Sequence, residues 1–186
     1  MKKGRIVMKK NKGVTMISLA IMLVVLMILA TITMYYGNSA VKEAKLQDLK
    51  TNMLLIQANL KGDLEKYHFE TNNLSDSEKE SKKSEYLKGK KMPVTESAVN
   101  DRFGDIEAKV KEIINEDYKK VDKKFEYYYL DDDTLKKIGL KDVKSNSENG
   151  YYIVAYSMNP LCSNVVEVIN TKGYLGNYTL SRIELL

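Results

Sequence analysis

The chain of 186 residues is poor in the residues that mark several protein classes. It has one cysteine, Cys162, which excludes a disulfide framework or a cysteine-based zinc site within one chain, and we expect a buried, inert thiol. It has one histidine, His68, for which we predict a surface position rather than a place among zinc ligands. The motifs of nucleotide-binding loops, metalloproteases and serine hydrolases are missing, so we expect no enzyme and no cofactor.

The net charge of +5 comes from one short segment. Residues 1–13 contain six lysines or arginines and no acid, whereas the rest of the chain contains 24 basic and 25 acidic residues. A nucleic-acid-binding domain carries its basic surface on the folded part. The balanced remainder therefore predicts no nucleic-acid partner.

The longest apolar run follows directly, at residues 14–36. Nineteen of its 23 residues are apolar, and residues 14–41 contain no charge. As a helix, 23 residues rise about 35 Å, enough to cross a hydrocarbon core of about 30 Å. The basic residues before the run predict a cytoplasmic N-terminus. We therefore predict a single-pass protein of the cytoplasmic membrane, with its C-terminal domain outside; a cleaved signal peptide usually has a shorter apolar stretch.

A helical pattern continues beyond the apolar run, over residues 37–69. Seven apolar residues recur there at steps of three or four, which places them on one helix face. These residues are Leu46, Leu49, Met53, Ile56, Leu60, Leu64 and Tyr67. No proline interrupts residues 14–67, so we predict one continuous helix of about 54 residues that becomes amphipathic in its second half.

The segment before the apolar run resembles the processing segment of type IV pilins and type II secretion pseudopilins. The resemblance is carried by Lys10, Asn11, Lys12, Gly13, Val14, Thr15, Met16, Ile17, Ser18 and Leu19, followed by the apolar run. In that family a membrane peptidase cleaves after the glycine, and the new N-terminal residue is methylated. The resemblance therefore implies a basic leader at residues 1–13 and cleavage between Gly13 and Val14.

The sequence departs from the family pattern at two positions. Val14 stands where phenylalanine or methionine is commonest, and Ser18 stands where the family usually has glutamate. In the family, that carboxylate is thought to neutralise the N-terminal amine of a neighbouring subunit. The resemblance thus implies a minor subunit of a pilus or pseudopilus, with membrane lipid, the prepilin peptidase and other pilin-like subunits as partners. The alternative is a permanently anchored single-pass protein with an extracytoplasmic binding domain.

The remaining sequence predicts an α+β region. Residues 70–92 are rich in lysine and acids and predict a solvated polar connector, with a helical turn near residues 77–87 as a further option. Residues 93–186 predict a globular region. Helical spacing runs there from Val99 to Val121; because Gly104 interrupts it, a shorter helix at 106–120, capped by Asp105, is the alternative. A short helix is predicted from Asp133 to near Gly139. Runs rich in tyrosine, valine and isoleucine predict strands at 125–130, 151–157, 165–170 and 178–185. We expect these strands to form a small antiparallel sheet packed on the amphipathic half of the long helix, as in pilins.

Three consecutive acids, Asp131, Asp132 and Asp133, are the only calcium candidates. Calcium prefers oxygen ligands of this kind, but a calcium-binding loop places its acids at alternate positions. Helix capping by Asp133 explains the cluster more simply. We therefore predict no metal site.

Overall fold

The computed structural model describes residues 12–94, 102–117, 125–159, 161 and 165–186. Cys162 lies outside the described residues. The chain divides into two compact units, Met1–Lys45 and Leu46–Leu186.

Helix α1 spans Lys12–Thr71 and contains 60 residues. The prediction of one continuous helix is confirmed, and the helix extends a few residues beyond both predicted ends. Its side chains are described at residues 16, 18–33, 37 and 40–71. Among the described residues, no helix is sufficiently long and apolar to cross a membrane.

The C-terminal unit contains a five-stranded antiparallel sheet whose strands follow one another in chain order. The strands are β1 (Lys90–Met92), β2 (Phe125–Leu130), β3 (Tyr152–Ser157), β4 (Val166–Tyr174) and β5 (Asn177–Thr179). The pairing of Tyr128 with Val154, and of Val154 with Val168, fixes the register of the three central strands. All six residues of β3 are buried, which places this strand at the centre of the sheet.

Four shorter helices accompany the sheet in the part of the chain that the structure describes. They are α2 (Asp76–Tyr86), α3 (Gly104–Asp117), α4 (Asp132–Lys137) and α5 (Leu180–Ile183). Helix α3 begins at Gly104, after the start of the longer predicted helix and before that of the shorter one, so Asp105 lies in its first turn instead of capping it. The predicted end of this helix, at residue 120, lies outside the described residues.

The amphipathic stripe of α1 belongs to the larger core cluster, as predicted. Met53, Ile56, Leu60 and Leu64 are fully buried there together with residues of β2, β3 and β4, and Tyr67 is nearly so. Leu46 and Leu49 pack at the margin of this cluster. A second cluster contains residues of α3 and the alternate side chains of β2, β3 and β4. The α+β prediction with an antiparallel sheet is therefore confirmed.

Two segments differ from their predicted structure. The segment expected to be a solvated connector contains α2, which agrees with the optional helical turn near residues 77–87, and β1, which was not predicted. Ser75 and Glu78 form a capping box at the start of α2, and Met92 is buried on the sheet. The last predicted strand ends at Thr179 and is followed by α5. Leu180 and Ile183 are three residues apart and both buried, a spacing that suits a helical turn better than a strand.

Candidate functional site

The residues of the predicted processing segment lie in the first turns of α1. They are Lys12, Gly13, Val14, Thr15, Met16, Ile17, Ser18 and Leu19. The bond between Gly13 and Val14 therefore lies within α1. Met16, Ser18 and Leu19 are exposed.

The following turns of α1 expose large apolar side chains around the whole helix. The nine consecutive residues from 21 to 29 are all large, apolar and about half or more exposed: Ile21, Met22, Leu23, Val24, Val25, Leu26, Met27, Ile28 and Leu29. Nine residues complete about two and a half turns, so no face of the helix is polar here. We call these residues the apolar sleeve. Contiguous apolar surface of this kind marks a site that contacts protein or lipid.

The hydroxyl groups next to the apolar sleeve are satisfied within the helix. Thr31 Oγ1 donates a hydrogen bond to the carbonyl of Met27 at 2.7 Å, and Thr33 Oγ1 donates to the carbonyl of Leu29 at 2.8 Å. A hydroxyl bonded in this way can enter an apolar environment without an unmet donor.

A group of four charged side chains joins α2, β1 and β2. Lys83 contacts Glu80 and lies 2.6 Å from Glu126, and Lys91 lies 3.0 Å from Glu80 and 3.1 Å from Glu126. Each lysine therefore contacts both glutamates, and we call the four residues the ionic ring. Burial lowers the pKa of Lys83, but hydrogen bonds from its ammonium to the two glutamates outweigh this effect, so its pKa is raised overall.

A cleft of about 270 Å³ lies beside the ionic ring. Glu80, Lys83, Lys91 and Tyr128 line it, together with Leu87 and other residues of the turn before β1. Burial, and to a lesser extent Glu126, raises the pKa of Tyr128, so this phenol stays neutral. The charged side chains that line the cleft are therefore one glutamate and two lysines.

The three calcium candidates do not converge on one point. Asp131 caps α4 by accepting a hydrogen bond from the backbone N–H of Thr134 at 2.9 Å, and its carboxylate lies 2.6 Å from Lys90. Asp132 accepts a hydrogen bond from the backbone of Ser145. The prediction that Asp133 caps the helix is wrong, because Asp133 is exposed and lies 3.5 Å from Lys136. Within the described residues, no cluster of three acidic, histidine or cysteine side chains could hold a metal ion.

The surface position predicted for His68 is wrong. The side chain is buried on α1, its Nε2 lies 2.8 Å from the carbonyl of Ser157, and its ring meets Tyr67 edge to face. The strand residue is 89 positions away, so no local pattern could reveal this contact.

Glu107 of α3 is also fully buried, and its carboxylate lies 3.0 Å from Lys111. The spacing of four residues on one helix is the signal that could have identified this second pair.

The chain was compared with protein families, curated proteins and solved structures. None of them matches. Its function is therefore inferred from its own residues.

Proposed function

We propose that the protein is a pilin-like structural subunit of a type IV pilus or a type II secretion pseudopilus. It is made as a prepilin, cleaved between Gly13 and Val14, and methylated at the new N-terminus. The observation that carries this proposal is the change of character along α1. The helix has an apolar sleeve at residues 21–29 and, from Leu46 onward, a single buried stripe covered by an antiparallel sheet. This is the architecture that the resemblance at residues 10–19 implies.

The apolar sleeve accounts for both the membrane and the fibre states of such a subunit. Removing the exposed half of nine large apolar side chains from water stabilises the covered state by on the order of 10 kcal/mol. Lipid tails and the helices of neighbouring subunits are similarly apolar, so either can cover the sleeve. In this proposal, residues 14–36 reside in the cytoplasmic membrane, the N-terminus is cytoplasmic, and the unit Leu46–Leu186 is outside.

Ser18 makes the proposed subunit a minor one. Cleavage creates a positively charged amine at Val14, and burying such a charge among apolar helices costs several kcal/mol unless a partner meets it. The Ser18 side chain, exposed on α1, supplies a dipole and no negative charge. The amine therefore requires an acidic partner on a different subunit, and a fibre made of this protein alone lacks one at this position.

Replacement of the glycine at the cleavage site tests the processing step. We expect Gly13→Leu to block maturation, because the added side chain prevents close approach of the backbone to the peptidase. Gly37→Leu is the matched control: Gly37 lies in the same helix, and no atom is within 4 Å of the position that a Cβ would occupy. The proposal predicts that only Gly13→Leu accumulates as the longer precursor in a host with a prepilin peptidase. Normal maturation of Gly13→Leu would contradict it.

A further inference from the structure

The two edge strands of the sheet are held in different ways. Both β1 and β5 contain three residues, but β5 continues into α5, whose Leu180 and Ile183 are fully buried. Strand β1 follows α2, a helix with no buried residue, and between α2 and the end of β1 only Leu87 and Met92 are buried. The backbone of Lys88, before the strand, is hydrogen-bonded to the hydroxyl of Tyr156 at 3.2 Å. A three-residue edge strand forms few ladder hydrogen bonds, so its removal costs less than that of a longer strand. Strand β1 is therefore the more replaceable of these two edges.

Strand β2 remains paired when β1 is removed. All six of its residues pair with β3, from Phe125 opposite Ser157 to Leu130 opposite Tyr152. Only the three residues Tyr127, Tyr128 and Tyr129 pair with β1. Release of β1 would thus leave an ordered strand with free N–H and C=O groups along one edge.

The side chains of β1 show which sequence this edge accepts. Lys90 lies 2.6 Å from Asp131, which follows β2 and caps α4. Lys91 lies 3.1 Å from Glu126, within β2, and 3.0 Å from Glu80 of α2. Met92 is buried in the second core cluster. The edge therefore presents Asp131 to the first residue of a paired strand, Glu126 to the second and an apolar pocket to the third.

We propose that the β2 edge is an acceptor site for an extended segment of another protein, in which two successive basic residues precede an apolar one. Strand β1 is the built-in occupant of this site. Backbone pairing supplies affinity in such strand addition, and the side-chain positions supply specificity. Gly89 allows the built-in strand to enter the site, since its φ is +109° and a Cβ there would lie 2.8 Å from the carbonyl of Tyr129.

Peptide binding to the full chain in detergent micelles tests this proposal. The probe is a fluorescein-labelled peptide with the sequence of residues 89–94, Gly-Lys-Lys-Met-Pro-Val, and its control has glutamate in place of both lysines. The double variant Lys90→Glu/Lys91→Glu places acids against Asp131 and Glu126 and should expel β1. We expect this variant to bind the basic peptide about tenfold more tightly than the unmodified chain does, as measured by fluorescence anisotropy.

The matched control variant is Lys136→Glu/Lys137→Glu, which reverses two exposed lysines of α4 and should leave peptide affinity unchanged. A variant at Lys90 and Lys91 that keeps its tyrosine near-UV circular dichroism without binding the basic peptide more tightly would overturn the proposal. Equal binding of both peptides would also overturn it. If that variant does not fold, amide hydrogen exchange of the unmodified chain tests the proposal instead. We expect the backbone amides of β1 to exchange at least about tenfold faster than those of β3. Equal protection of the two strands would show that β1 is not replaceable.

Discussion

Leu60 gives the sharpest test of how the long helix joins the C-terminal unit. Its side chain is fully buried in the larger core cluster, between Ile56 and Leu64 on the stripe of α1. Truncation to alanine removes buried methyl groups and leaves a cavity, so Leu60→Ala should destabilise this unit by about 3 kcal/mol. For a unit of this size, one kcal/mol corresponds to about 3 to 4 °C, so the melting temperature should fall by about 10 °C.

The assay is thermal unfolding of the full chain in detergent, followed by the near-UV circular dichroism of tyrosine. Eleven of the 13 tyrosines lie after residue 66, so this signal reports on the C-terminal unit. Leu55→Ala is the matched control, because Leu55 lies on the same helix and is 44% exposed. We expect that control to change stability by no more than about 0.5 kcal/mol. Equal melting temperatures for the Leu60 variant and the parent would show that the stripe is not packed in the core.

Three further perturbations have defined outcomes. Gly150→Ala should destabilise the chain by about 2 kcal/mol more than Gly139→Ala in denaturant titrations. Both glycines have φ near +86°, but only at Gly150 would an added Cβ clash, at 2.2 Å from Oδ1 of Asn170. Burial raises the pKa of Asp131, but hydrogen bonds from Lys90 and Thr134 outweigh it and lower the pKa to about 2. The ionised carboxylate therefore stabilises the fold above about pH 4 and loses this effect as the pH falls through about 2, so the melting-temperature difference between the parent and Asp131→Asn should shrink over that interval. Ser18→Glu should increase self-association of the cleaved protein in detergent, measured by sedimentation velocity; unchanged sedimentation would argue against an unpaired amine.

The elements that the sequence predicted correctly are those with an uninterrupted pattern. The stripe from Leu46 to Tyr67 keeps helical spacing over six turns. Strand β2 has the predicted ends because four of its six residues are β-favouring aromatics and the run lies between polar segments. Helix α2 was predicted only as an optional helical turn near residues 77–87, because its charged composition resembles that of a linker. Its capping box at Ser75 and Glu78 was nevertheless readable in the sequence.

The candidate sites could likewise be predicted only where their residues are close together in the sequence. The processing segment and the apolar sleeve are local in sequence, so both could be identified from consecutive residues. The ionic ring could not, because Lys83 and Glu126 are 43 positions apart and meet only through the pairing of β1 with β2. Among the three successive acids, composition alone did not distinguish the capping residue Asp131 from Asp133, since either can precede a helix.

The intact mass of the protein extracted from membranes tests the proposed function most directly. Cleavage between Gly13 and Val14 yields a chain of 173 residues whose mass does not depend on whether translation starts at Met1 or Met8. In a host with a prepilin peptidase, we predict the mass of residues 14–186 plus one methyl group, with fragmentation placing that methyl group on Val14. A chain that keeps residues 9–13 and carries no methyl group would contradict the proposal and support a permanently anchored membrane protein.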